Sequence, residues 1–83
     1  MPISAVELDP RVADVKVTDL ALEVRLQDGR LISTPLSWFP RLAAADAKAR
    51  ETWEPAAAGL GIHWPLIDED LSVEGLLRSR NPK

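Results

Sequence analysis

The stretch "ADVKVTDLALEVRLQDGRLISTPL", residues 13–36, alternates apolar and polar side chains between short turn signals. That period suits antiparallel strands and little else. Val15 and Val17 share one face, and Leu20, Leu22, Val24 and Leu26 form a second apolar row. A two-residue connection at Thr18-Asp19 places Val17 opposite Leu20 and Val15 opposite Leu22. The next turn, "LQDGRL", allows two registers. A two-residue Asp28-Gly29 loop pairs Leu26 with Leu31 but sets Val24 against Ser33. A three-residue loop, with Gly29 in the left-handed bulge position, pairs Leu26 with Arg30, Val24 with Ile32 and Leu20 with Leu36. The second register keeps the apolar row continuous and is preferred. A three-stranded antiparallel meander with one buried face is expected.

The period changes over residues 35–54, "PLSWFPRLAAADAKARETWE". Ser37 suits an N-cap, and Pro40 fits the first helical turn, where its missing N–H is not needed. Leu42, Ala45, Ala49 and Trp53 follow helical spacing, and Asp46 and Arg50 stand at i,i+4. Asp46 can also break the helix and cap a second one. Residues 61–65, "GIHWP", read as a fourth strand reached through a glycine turn and stopped by Pro65. The last segment, "LSVEGLLRSR", reads as a short helix with Ser72 as N-cap and Leu71 and Leu76 as a hydrophobic staple. Val73, Leu76 and Leu77 face inward, Arg78 and Arg80 suit the helix C-terminus, and Asn81-Pro82 ends it. The fold class is therefore α+β: a three- to four-stranded antiparallel meander packed against a central, breakable helix and a short C-terminal helix. Residues 1–83 form a single domain, with 1–11 a loose N-terminal segment and 81–83 a frayed tail.

A chain of 83 residues buries only about 60–65% of its unfolded surface, so each large apolar side chain carries weight. With no cysteine, disulfides and thiolate chemistry are excluded, and a reducing cytoplasm is the natural setting. The net charge is −3, and the Lys and Arg residues are scattered, which argues against nucleic acid as the main partner. Asp and Arg interrupt every apolar run, so neither a signal peptide nor a membrane span is expected.

The chemistry-bearing residues gather in "GIHWPLIDEDLS", residues 61–72. A calcium loop begun at Asp68 fails, because Val73 stands at the sharp-turn position and Ser79 at the twelfth. His63 with Asp68 and Asp70 is a poor ligand set without a second histidine. His63 as a general base lacks a nucleophile elbow. "GLG" precedes a strand rather than opening a helix, so it is no dinucleotide cradle. No cofactor or metal is expected. The ordinary reading makes Trp38, Phe39, Trp53 and Trp64 core residues, and makes the acids a solvated turn that offsets a helix dipole. The sharper reading leaves Trp38 or Trp64 partly exposed beside His63, Asp68, Glu69 and Asp70 as a recognition surface. An open sheet edge adds a place for a partner or for a second copy of the chain.

"DGRLISTPLSWFPRL" and "GIHWPLIDEDLSVEGLL" together resemble a bacterial family of unknown function, the one numbered 2442. The matching residues are Asp28, Gly29, Pro35, Leu36, Trp38–Leu42, Gly61–Pro65, Asp68–Asp70 and Ser72–Leu77, with Leu71 where isoleucine is usual. The resemblance implies a small α+β domain, and gene pairing of the toxin–antitoxin kind with this chain on the antitoxin side. Some relatives carry a helix-turn-helix domain, for which this chain is expected to have no room. The leading expectation is a non-enzymatic binding module that restrains a small protein partner, with a homodimer through a sheet edge also open. A small enzyme or metal-dependent factor using His63, Asp68 and Asp70 is the first alternative. A nucleic-acid-associated regulator is the second.

Overall fold

The structure, a computed structural model, describes residues 7–78. The loose segment's first six residues and the expected tail lie outside that range. Strands β1 (Val12–Val17), β2 (Ala21–Leu26) and β3 (Leu31–Pro35) form an antiparallel sheet in that order. Val24 pairs with Ile32, and the Leu26 N–H donates to the Arg30 carbonyl. Gly29 takes a φ of 95°, which a Cβ would oppose. The three-residue loop is therefore the observed one, with Leu31 58% exposed.

The first hairpin differs from expectation. Val17 pairs with Leu22 and Val15 with Val24, and the Thr18 N–H donates to the Ala21 carbonyl. The connection is Asp19-Leu20, one residue later than expected. Its cause is Thr18, whose Oγ1 accepts the N–H groups of Leu20 and Ala21 and so organises the turn itself. Leu20 leaves the apolar row and is 85% exposed.

A 3₁₀ turn (Leu36–Trp38) leads into α1 (Pro40–Ala44) and then α2 (Ala47–Glu51). Pro40 opens α1, but Ser37 caps nothing: it sits inside the 3₁₀ turn, and α1 has Phe39 at its N-cap with no side-chain bond. The helix does break at Asp46, whose Oδ1 accepts the Ala49 N–H at 2.8 Å. Asp46 thereby leaves Arg50, which turns instead to Asp19 and to the carbonyls of Leu42 and Ala43. Leu42 and Ala49 are buried, while Ala45 and Trp53 are half-buried.

The rest of the chain forms a second antiparallel sheet rather than a fourth strand on the first: β4 (Glu54–Ala56), β5 (Gly61–Trp64) and β6 (Glu69–Ser72), with β5 central. Short turns make this local pairing entropically cheaper than docking on the distant β3 edge. That edge is also unsuitable, since Pro35 brings no N–H to it and α3 (Val73–Arg78) packs against it. The acids therefore do not form one solvated turn: Asp68 is in the turn, while Glu69 and Asp70 are in β6. Ser72 caps α3 as expected, its Oγ accepting the Gly75 N–H at 2.9 Å. Leu77 departs from expectation and is 47% exposed. The core joins both sheets through Leu22, Val24, Leu26, Leu42, Ile62, Trp64 and Val73.

Candidate functional site

Alternation along β5 sends Ile62 and Trp64 into the core and His63 to the opposite face. On that outer face His63 lies opposite Asp70 of β6 and Glu54 of β4. His63 Nδ1 and Asp70 Oδ1 are 2.8 Å apart, and the Asp70 side chain is 70% exposed. In the neutral ring this bond requires the Nδ1–H tautomer, which leaves Nε2 as the basic nitrogen. A histidine held by a carboxylate in this way has the geometry of a base and its orienting acid. The nearby Ser72 hydroxyl, two pairs along the sheet, is engaged in capping α3. Among the described residues, no three His, Asp or Glu side chains gather to hold a metal ion.

The other expected recognition residues scatter. Asp68 stands in the 65–68 turn at φ 53°, a left-handed conformation that Asp tolerates better than most residues. Its carbonyl accepts Arg41 Nη1 at 2.6 Å. Glu69 pairs with Trp64 and so projects from the face opposite to Asp70. Trp38 is half-buried in the 3₁₀ turn. Trp64 cannot belong to a recognition surface: it is 0% exposed, and its Nε1 donates to the Arg50 carbonyl at 3.1 Å. Burying the indole satisfies both its apolar area and its one donor. Among the described residues, only His63 and Asp70 of the expected set are joined through their side chains by a hydrogen bond or ion pair.

Two features escaped the sequence. The first is an apolar groove of about 460 Å³ between the β4–β5 turn and α3, lined by Ala57, Leu60, Val73 and Leu77, with Glu74 at its rim. Leu60 and Leu77 are 46% and 47% exposed. A second depression shares Ala57 and Leu60 and reaches Asp70, so the apolar strip runs between two acids. Nothing in the periodicity marks it, because Leu60 sits beside a turn in which Ala57, Ala58 and Gly59 all take positive φ.

The second is Asp28, read above only as a turn residue. Its side chain is 2% exposed, and its carboxylate accepts the Asp9 N–H at 2.8 Å and Arg30 Nε at 3.1 Å. The Arg30 hydrogen bond is the main reason its pKa falls to about 2, with further help from the Arg30 and Asp9 N–H groups. Because the folded value lies below the ordinary 3.8, the stabilisation is complete above that value and is lost as pH falls through about 2. The Asp28→Asn variant is expected to melt below wild type at about pH 5, with the gap closing toward about pH 2. Thermal unfolding followed by circular dichroism across that window checks it; a gap independent of pH would remove the carboxylate's role.

The family described as "Protein of unknown function (DUF2442)" matches residues 12–82, from the first residue of β1 onward. The chain belongs to this family. A crystal structure of a protein of unknown function from Rhodospirillum rubrum is similar over 81% of this chain and 83% of that one, at 28% identity and a TM-score of 0.68. No curated protein matches the chain. In this DUF2442 chain, Arg41 of the "WFPRL" block reaches Asp68 of the "DED" block. The two blocks, far apart in sequence, meet at the turn that launches β6. No described helix is long and apolar enough to cross a membrane.

Proposed function

We propose that the chain is a cytoplasmic, non-enzymatic protein-binding module that pairs with a small basic protein and restrains it, in the manner of an antitoxin. The observation that carries this reading is the apolar strip over Leu60 and Leu77, ended by Asp70 and Glu74. Exposed leucines around a concave strip suit burial against another protein. Asp70 at one end and a net charge of −3 suit a basic one, although Glu74 at the other end is paired with Arg78 at 2.8 Å. The absence of cysteine fits a reducing compartment.

The test is affinity purification of the tagged chain from its host at low and high salt, with mass spectrometry. One small basic protein in stoichiometric amount is expected. The Leu60→Asp/Leu77→Asp variant, changed only at exposed positions, is expected to lose it, and His63→Ala to retain it. Recovery of the bare wild-type chain, or undiminished capture by the double variant, overturns the reading.

The hydrogen bond between His63 and Asp70 favours a second reading, a small hydrolytic enzyme with Nε2 as general base. It predicts an activity that His63→Ala abolishes and Leu60→Asp spares.

A further inference from the structure

The second sheet is open along one edge, and its backbone identifies which groups are free there. The Val73 N–H donates to the Leu60 carbonyl at 2.9 Å, in register with the β5–β6 pairs. Bonded and non-bonded pairs alternate in an antiparallel ladder. Leu71 and Glu69 therefore exchange bonds with Ile62 and Trp64, while Asp70 and Ser72 turn their backbone outward. Pro65 agrees, since the other alternation needs an N–H that it lacks. The outward carbonyl of Asp68 is taken by Arg41. The Asp70 N–H and carbonyl and the Ser72 N–H have no partner among the described residues.

The other three edges are obstructed. The same alternation makes His63 and Gly61 bond to β4, so Pro55 occupies an outward position there. Pro35 does so on β3, against which α3 also packs. β1 carries a bulge between Val12 and Asp14 and lies beside α2. Prolines and bulges are usual protections of a sheet edge, and β6 has neither; α3, which follows it directly in the chain, contacts it.

Resting on the protein-binding reading above, we propose that β6 receives an extended segment of the small basic partner as a fourth strand of this sheet. Charge selects the occupant. Residues opposite Asp70 and Ser72 would stand on the outer face beside the exposed Asp70 carboxylate, and the residue between them beside Leu71. A basic–apolar–basic alternation fits that arrangement. A second copy paired two-fold about Leu71 would set Asp70 against Ser72 and gain no charge pairing, whereas a basic strand gains it.

Amide hydrogen exchange on the full chain tests this. In the free protein, Asp70 and Ser72 are expected to exchange at least ~10-fold faster than Glu69 and Leu71. A blocked synthetic peptide of alternating Lys and Val should slow Asp70 and Ser72 by roughly tenfold while leaving Leu31 and Ser33 on β3 unchanged. A Glu–Val peptide should not do so, and Asp70→Lys, which keeps the backbone, should reverse the preference. Slowing on β3 instead, no slowing on β6, or protection that grows with protein concentration alone overturns the proposal, the last by identifying a second copy as occupant. If Asp70→Pro folds and still captures the partner as wild type does, strand addition falls and the binding reading stands. If wild type captures no partner, the binding reading itself falls.

Discussion

Replacing Trp64 with alanine is expected to remove a large fraction of the domain's stability. The indole is 0% exposed at the centre of the core that joins the two sheets, and truncating such a residue costs about 3–5 kcal/mol. A domain of 83 residues has a total stability of only about 4–12 kcal/mol, at ~0.05–0.15 kcal/mol per residue. The loss is therefore a large fraction of the whole. Packing and hydrogen bonding can be separated. Trp64→Phe keeps an aromatic ring but leaves the Arg50 carbonyl without its indole donor, a defect worth about 1–3 kcal/mol. Urea unfolding followed by far-ultraviolet circular dichroism should rank the three proteins as wild type, then Phe, then Ala. An alanine variant within about 1 kcal/mol of wild type would contradict the burial on which the two-sheet core rests.

The legible parts of this fold are those where two sequence signals agree. At the β2–β3 turn, Gly29 suits the bulge position of the three-residue loop and the continuous apolar row selects that loop, and the structure has it. At the β1–β2 turn the apolar row alone is ambiguous, because sliding the partner by two residues keeps each side chain on its face. The deciding signal is local: Thr18 gathers two N–H groups with its hydroxyl, and hydrophobic alternation takes no account of that. The second sheet was only half legible. "GIHW" reads as a strand, but "EDLS" carries two acids with poor strand propensity, and it is made a strand by its ladder to β5. His63 and Asp70 were legible as reactive residues, yet their meeting depends on that ladder. Asp28 was not legible as more than a turn residue, because its partner Asp9 lies 19 positions away. The groove was not legible either, since its leucines come from a turn and from the exposed side of α3.

Arg50 is the second residue whose loss should be severe, and here the ion pair is the lesser part. α1 ends at Ala44, so its last carbonyls need partners from outside the helix. Arg50 Nε donates to the Leu42 carbonyl and Nη2 to the Ala43 carbonyl, each at 3.0 Å, while Nη1 reaches Asp19. The Arg50 side chain is 15% exposed and that of Asp19 95%. Hydrogen bonds from a charged donor contribute about 1.5–3 kcal/mol, whereas an exposed ion pair contributes ~0–1 kcal/mol. Arg50→Ala is therefore expected to cost about 2–4 kcal/mol, because it also leaves the Ala43 carbonyl without its donor, while the Leu42 carbonyl keeps the Ala45 N–H. Asp19→Ala should cost less than about 0.5 kcal/mol. Lysine is the informative substitution: it keeps the charge but loses the planar fork that serves adjacent carbonyls. Arg50→Lys should consequently lie nearer to alanine than to wild type in the same urea experiment. If lysine instead restores wild-type stability while Asp19→Ala falls to the level of Arg50→Ala, charge pairing rather than helix capping holds α1 and α2 together.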